Sequence, residues 1–349
     1  MPKGDEAKVN GSTRARALRL AAAFLIFTLL LPLVGCGGTR RHTAQTYAMG
    51  TLCSVTEELS HGDDGDASSL LFPLLSETEV LISHKSAGSD INILNQSGIV
   101  TVRDARLLSA LRLAEEVKAK TGGLFSVSVL PVTSLWNFSA ETPVPPFEED
   151  LSAALAEMEE SMLTFEEDTV HKTGGDIDLG ALGKGYACDV LADALRQSGR
   201  MGLISVGGSI AAVGSKKSGA WQVGVRDPFS VSRNQTLGTL ALTDTFISTS
   251  GDYEKCFTHA GVTYHHILDP RTGMPAESDL TSVTVVAESG TLSDILSTAC
   301  FLVGSERAFA LAAEYDAALV AVTHDGTVLV SASLSDVFTP DGGWEVCYR

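Results

Sequence analysis

The feature that most restricts the fold is a run of short apolar segments joined by turns over residues 203–287. The segments are LISVGGSIAAVG, WQVGVRDP, LGTLALTD, FISTS, TYHHILDP and SVTVVA. Such segments, bounded by Gly, Pro and Asp, read as strands. Nothing helical separates them, so this part is not a series of parallel βαβ units, which need a crossover between strands. Helical spacing lies on both sides of the run. Leu71, Leu74, Leu75 and Val80 mark a helix over 70–82. Leu107, Leu108, Leu111, Ala114 and Val117 mark another from Asp104 to Lys120, with Asp104 as N-cap and Gly122 as stop. Further helices are expected near 148–162, 184–199, 292–303 and 306–315. Residues 46–57 read as a first strand, 83–98 as mostly irregular, and the end as a hairpin turning at Asp325-Gly326. This mixed order predicts an α+β fold, a single compact domain over 45–349.

The N-terminus is separate. Lys3, Lys8, Arg14, Arg16 and Arg19 precede an apolar run, Leu20–Val34, that is short for a membrane span. A basic flank before a short apolar core reads as a secretory signal. Leu33-Val34-Gly35-Cys36 resembles a bacterial lipobox, in which cleavage before Cys36 leaves an acylated cysteine. Residues 1–35 are then a lipoprotein signal peptide and 36–44 a linker. The expected location is the outer side of the cell membrane, held by lipid. Residues 1–35 carry net +3, and the whole chain −18, so the mature part stands at −21. That acidity argues against a general phosphate-contact surface for nucleic acid. An anionic substrate must instead be gripped locally, by a metal or by backbone amides. Five cysteines follow Cys36, none in C-x-x-C spacing, so neither a zinc ribbon nor a disulfide framework is expected.

Four patterns carry chemistry. In SDILST, Asp294 and Thr298 are four apart and share one helix face; both are hard oxygen ligands suited to Mg²⁺. Helix capping by Thr291, Ser293 and Asp294 is the competing use of these residues. GGDIDLGALGKGYACD (174–189) looks like a P-loop and fails as one. The first glycine position holds Asp178, and Gly185 follows Lys184. What remains is a glycine-rich turn into a helix N-terminus, suited to phosphate, with Lys184 adding charge and Asp178 accepting hydrogen bonds. A tight connection with a solvated lysine explains it equally. His265 and His266 are adjacent in a strand, so they face opposite sides and cannot chelate one metal; one is expected buried and one in a site. Asp269-Pro270-Arg271-Thr272-Gly273 is a turn signature in its own right. Gly207-Gly208 inside a strand run marks a bulge or close backbone approach to a ligand.

In this order and spacing, the segments resemble the ApbE family of FAD:protein FMN transferases. The matching pieces are Met49-Gly50-Thr51, Asp90-Ile91 with Leu94-Asn95, Pro131 with Leu135-Trp136, DIDLGALGKGYACD, VGGSIAAVG, TSGDYE, HHILDPRTG and SDILSTACFLVG. The resemblance implies one α+β domain with FAD in a cleft. It implies a Mg²⁺-dependent reaction that splits FAD, releases AMP and joins FMN by a phosphoester to a Thr or Ser of an exported or membrane flavoprotein. The family's Mg²⁺ ligands fall on Ala181, through its carbonyl, Asp294 and Thr298. Its flavin contacts fall on Met49, Asp178, Lys184 and Leu268. His266 and Asp269 match its histidine–aspartate motif near the reacting phosphate and are the candidates for handling the acceptor's proton. The chain departs from the family at Lys85, where a tyrosine is usual, and at Ser126, Ser128 and Leu130, where aspartate, threonine and glycine are usual. Two other readings share these residues: an FAD pyrophosphatase giving free FMN and AMP, and a lipid-anchored flavin-binding protein without turnover.

Overall fold

A computed structural model describes residues 40–59, 65–138, 140–216, 218–232 and 234–349. The expected signal peptide and Cys36 lie outside them. In chain order the elements are β1 (Arg40–Ala48), β2 (Thr51–Leu59), α1 (Ser68–Ile82), α2 (Asp90–Ser97), β3 (Ile99–Thr101), α3 (Ala105–Lys120), α4 (Leu130–Thr133) and α5 (Glu148–Met158). There follow β4 (Met162–Glu166), β5 (Thr169–Thr173), α6 (Gly183–Gln197), β6 (Gly202–Val206), β7 (Ser209–Val213), β8 (Trp221–Arg226), β9 (Thr236–Leu242), β10 (Thr245–Gly251), β11 (Cys256–His259), β12 (Val262–His265) and β13 (Leu280–Ala287). The chain ends with α7 (Gly290–Val303), α8 (Ser305–Ala313), β14 (Ala318–Thr323), β15 (Val328–Val330), β16 (Phe338–Pro340) and β17 (Val346–Tyr348).

One nine-stranded sheet, ordered β1-β2-β6-β7-β10-β13-β14-β15-β17, organises the fold. Strand alternation splits its side chains between two cores. Phe246 of β10 packs with α1 and α6, together with Leu71, Leu75, Leu191 and Leu195. Its neighbour Ile247 points the other way, to Trp221, Leu237 and Leu240 of the small β16-β9-β8 sheet. β13 is buried on both faces, and Val283 and Val285 meet Ile295, Leu296 and Ala299 of α7. The helices therefore lie on one face of the large sheet and the small sheet on the other.

The α+β class is as expected, but several boundaries move. β1 begins at Arg40, so residues 40–44 of the expected linker are strand. The expected first strand over 46–57 is two strands. Met49 (φ 52°) and Gly50 (φ 69°) both take the left-handed backbone that a two-residue hairpin turn requires. Gly207-Gly208 is likewise the turn between β6 and β7, not a bulge inside a strand. Residues 83–98, read as mostly irregular, contain α2, whose N-cap Ser89 accepts from the Asn92 N–H and whose C-cap Gly98 is left-handed. The helix near 148–162 stops at Met158 because β4 starts at Met162.

The decisive packing contact joins α6 to α7. A Cβ on Gly185 would stand 2.0 Å from the Gly290 carbonyl oxygen, and one on Gly290 would stand 2.2 Å from the Gly185 oxygen. Only two glycines allow that approach. Each helix then caps the other. Asp189 of α6 accepts from the Gly290 N–H (2.6 Å), the Thr291 N–H (2.8 Å) and the Thr291 hydroxyl (2.6 Å) at the start of α7. Asp294 of α7 accepts from the Gly185 N–H (2.9 Å) at the start of α6. Carboxylates at helix N-termini satisfy free N–H groups and complement the helix dipole. Gly185→Ala should therefore cost about 3 kcal/mol, the upper end of overpacking costs, since backbone must move to admit the methyl. Gly180→Ala, whose Cβ meets nothing nearer than 3.4 Å, should cost under about 1 kcal/mol. Urea denaturation of both variants measures the difference.

Candidate functional site

The two mutually capped helix ends bring oxygens together. Asp294 is 2% exposed. Its Oδ2 takes the Gly185 N–H and lies 3.4 Å from Lys184 Nζ. Its Oδ1 accepts no hydrogen bond among the described residues. Because Gly185 gives its N–H to Asp294, it does not bond the carbonyl four residues back. The Ala181 carbonyl consequently has no donor among the described residues. Thr298 is one turn along α7 from Asp294, on the same face and half-buried, with Oγ1 3.1 Å from Ser250 Oγ. A carboxylate oxygen, a carbonyl and a hydroxyl are hard donors fit for Mg²⁺. No cluster of three or more His, Cys, Asp or Glu able to hold a metal occurs among the described residues. A cation held by this set would meet a single carboxylate and remain net positive. It would therefore favour an anionic ligand such as a phosphate.

The glycine-rich turn frames this pole. Asp178 Oδ1 accepts from the Gly180 N–H (2.9 Å) and Oδ2 from the Thr133 hydroxyl (3.1 Å), so its carboxylate shapes the turn. Lys184 Nζ also reaches the Gly180 carbonyl at 3.3 Å. Met49 packs at the start of α6, its Cε 3.6 Å from where a Gly183 Cβ would be. Thr51 covers Gly207, whose left-handed backbone (φ 61°) and missing Cβ admit it. The Gly208 carbonyl accepts from the Thr249 N–H at 3.1 Å. The Met-Gly-Thr, Val-Gly-Gly and Ser-Thr-Ser segments, distant in sequence, thus adjoin one another.

His265 and His266 separate as expected of neighbours. His265 enters a cavity of about 430 Å³ with Asp252, Cys256 and His324, and its Nε2 bonds the Ala276 carbonyl at 3.2 Å. His266 lies edge-on to Phe138 (6.4 Å). Its Nδ1 is buried without a partner among the described residues. Burial, with Lys255 and Lys184 nearby, pushes its pKa down to about 3, so the ring is neutral. Asp269 is engaged differently. Its carboxylate accepts from the Arg271 backbone N–H (2.9 Å) and from Nε (3.0 Å) and Nη2 (2.7 Å). Burial raises its pKa, but the Arg271 hydrogen bonds and charge outweigh this and hold it low. Leu268 pairs with Pro275 and packs into an aromatic cluster with Trp136, Phe257 and Tyr264. A second cavity, also about 430 Å³, is lined by Ser126, Ser128, Lys118, Ser161, Pro270 and Arg271. The family departures Ser126 and Ser128 thus line a cavity together, whereas Lys85 is exposed in the loop after α1. Sequence reasoning missed the caps made by Asp189 and the salt bridge of Arg271. Both lay inside motifs already singled out, and only helix contact could reveal the first.

Fold and site together define a protein with an α+β scaffold whose paired helix ends set hard oxygen donors beside a lysine and a glycine-rich turn. Residues 49–322 match the model of the ApbE family, and the chain belongs to that family. A Treponema pallidum (strain Nichols) protein named FAD:protein FMN transferase is 31% identical over 317 residues, covering 83% of this chain and 87% of that protein. A Klebsiella pneumoniae (strain 342) protein of the same name is 29% identical over 295 residues, covering 82% and 92%. The solved flavin transferase ApbE from Vibrio cholerae superposes with a TM-score of 0.74 at 28% identity, covering 86% of this chain and 99% of that one. The Thermotoga maritima ApbE crystal structure gives 0.72 at 26% identity, covering 85% and 99%.

The neutral state of His266 has a stability consequence. Its pKa is near 3 in the folded chain and about 6.5 when unfolded. Between those values the unfolded chain binds more protons, so stability falls as pH drops below about 6.5. His266→Gln should lose less melting temperature than the parent between pH 7 and pH 5. It should still lose some, because burial also lowers the pKa of His265. Equal losses would mean that the His266 ring is not held neutral by burial.

Proposed function

We propose that this chain moves FMN from FAD to a threonine or serine hydroxyl of a target protein. The observation that carries the reading is the oxygen set at the joined ends of α6 and α7, within a chain whose relatives bear the transferase name. In the reaction the acceptor hydroxyl oxygen attacks the phosphorus of the FMN half. The bond to the AMP phosphate breaks, AMP leaves, and the hydroxyl proton passes to a base. Such transfers need positioning and charge neutralisation more than a covalent catalyst.

The donor set of Ala181 carbonyl, Asp294 and Thr298 is assigned to Mg²⁺, which when bound supplies charge neutralisation and polarises the attacked phosphate. Lys184 and the N–H groups that open α6 face the remaining phosphate charge. Met49, the Gly207-Gly208 turn and Leu268 are assigned to the flavin, and Asp178 holds the turn that meets it. His266, neutral and half-buried, is assigned as acceptor of the hydroxyl proton. Asp269 is committed to Arg271, so we give it the work of fixing the turn after His266 instead.

Cys36 is assigned as the lipidated residue, which places the domain on the outer side of the cell membrane. Because Arg40 is already in β1, at most three residues separate the strand from the lipidated cysteine. A tether of that length spans at most roughly 14 Å at 3.3–3.6 Å per residue. The acceptors are then exported or membrane electron-transfer flavoproteins close to the bilayer. Among the described residues no helix is long and apolar enough to cross a membrane.

Protein, FAD, Mg²⁺ and an exported flavoprotein acceptor, followed by intact-mass measurement, test the reading. The acceptor should gain the mass of one FMN, and AMP should appear in equal amount. Asp294→Asn and Thr298→Ala should each slow the gain by about 10²–10³-fold, and His266→Ala by about 10²–10⁴-fold. AMP release without any mass gain would make the chain an FAD pyrophosphatase. FAD left intact would make it a flavin carrier.

A further inference from the structure

A line of hydroxyls runs between β10 and α7. Ser248 and Ser250 share one face of β10; Ser293 and Ser297 share one face of α7. Ser248, Ser293 and Ser297 are fully buried, so their hydrogen bonds form without competition from water. Each hydroxyl has one proton and two acceptor lone pairs. That count fixes the direction of the bonds next to Thr298.

Ser297 Oγ lies 2.9 Å from the Asp294 carbonyl oxygen. A carbonyl cannot donate, so the Ser297 proton is there. Ser250 Oγ lies 2.9 Å from Ser297 Oγ, and with the Ser297 proton committed, Ser250 must donate. Ser250 Oγ is also 3.1 Å from Thr298 Oγ1. The Ser250 proton is already spent, so Thr298 donates. The Thr298 proton therefore points inward, at Ser250, and its lone pairs are left for the cleft side. In the reverse order Ser250 would occupy one Thr298 lone pair, and the proton would compete with a cation for the cleft side.

We infer that Ser250 is a positioning residue of the cation site: by accepting the Thr298 proton it makes Thr298 Oγ1 a lone-pair donor. The inference rests on the proposed cation set of Asp294 and Thr298. Ser250 does not itself touch the cation. Ser248, two residues earlier on the same face, is the natural contrast. It bonds Ser209 at 3.0 Å and Ser293 at 2.9 Å, and it does not bond Thr298. It is more buried than Ser250 and has the same hydroxyl chemistry without the orienting contact.

Mn²⁺ titrated into the full-length protein without flavin, with free ion counted by electron paramagnetic resonance, reads the affinity directly. Ser250→Ala should weaken Mn²⁺ binding about 10–100-fold, the usual cost of losing a partner that orients a metal ligand. Ser248→Ala should stay within about twofold of the parent, as expected for a hydroxyl that orients no ligand. Ser250→Thr against Ser250→Val differs by the hydroxyl alone and keeps the test open if the alanine variant does not fold; only the threonine variant should bind like the parent. Parent-like Mn²⁺ binding by Ser250→Ala and Ser250→Val, with binding lost in Asp294→Asn, would overturn the role of Ser250 and leave the cation site standing. Parent-like binding by Asp294→Asn would overturn the cation site and this inference together.

Discussion

The contact between Gly185 and Gly290 is the constraint on which the rest of the site depends. Two helices normally keep their axes about 8–10 Å apart because side chains stand between them. Here neither residue has a side chain, and backbone meets backbone. That closeness lets each helix present a carboxylate to the first turn of the other. Asp189 satisfies the start of α7, and Asp294 satisfies the start of α6. The second exchange redirects the Gly185 N–H and so frees the Ala181 carbonyl. One steric fact thus places a buried carboxylate, a free carbonyl and a helix N-terminus together.

The electrostatics follow from the same arrangement. Asp294 is shared between the Gly185 N–H and Lys184, so it offers only one unbonded oxygen to a cation. In a chain of net charge −18, Lys184 and the N–H groups that open α6 put positive charge at this pole. Burial, with Lys255 and Lys184 nearby, holds His266 neutral. At a pKa near 3 the ring is a weak base, and phosphate charge bound beside it would raise that basicity. Arg271 keeps the adjacent Asp269 ionised and occupied, whereas His266 Nδ1 has no partner among the described residues.

Much of the fold was legible because its signals are local. Asp104 does cap α3, accepting from the Arg106 N–H, and Gly304 ends α7. The buried strand β13 and the amphipathic face of α7 were visible as apolar pattern. α2 was not: Asp90–Ser97 has few apolar residues, and its cap, Ser89, lies amid other turn-forming residues. The start of β1 was hidden because Arg40–Ala48 is polar and exposed on one side, as an edge strand should be. At the site, Asp294 and Thr298 were legible as an i, i+4 pair. Their partners Gly185 and Ser250 were not, because those contacts cross 109 and 48 residues of chain. The glycine-rich segment showed that something must approach closely; only the packing shows that it is another helix.

The central claim is that the joined ends of α6 and α7 form a divalent-cation pole beside the flavin cleft. Crystals grown with Mn²⁺ and FAD, with diffraction measured for anomalous scattering from manganese, test it most directly. The account predicts one strong anomalous peak in bonding contact with the Ala181 carbonyl, Asp294 and Thr298, with flavin phosphate on its open side. A flavin-filled cleft with no peak there, or a peak only in the cavity of Asp252, His265 and His324, would contradict it.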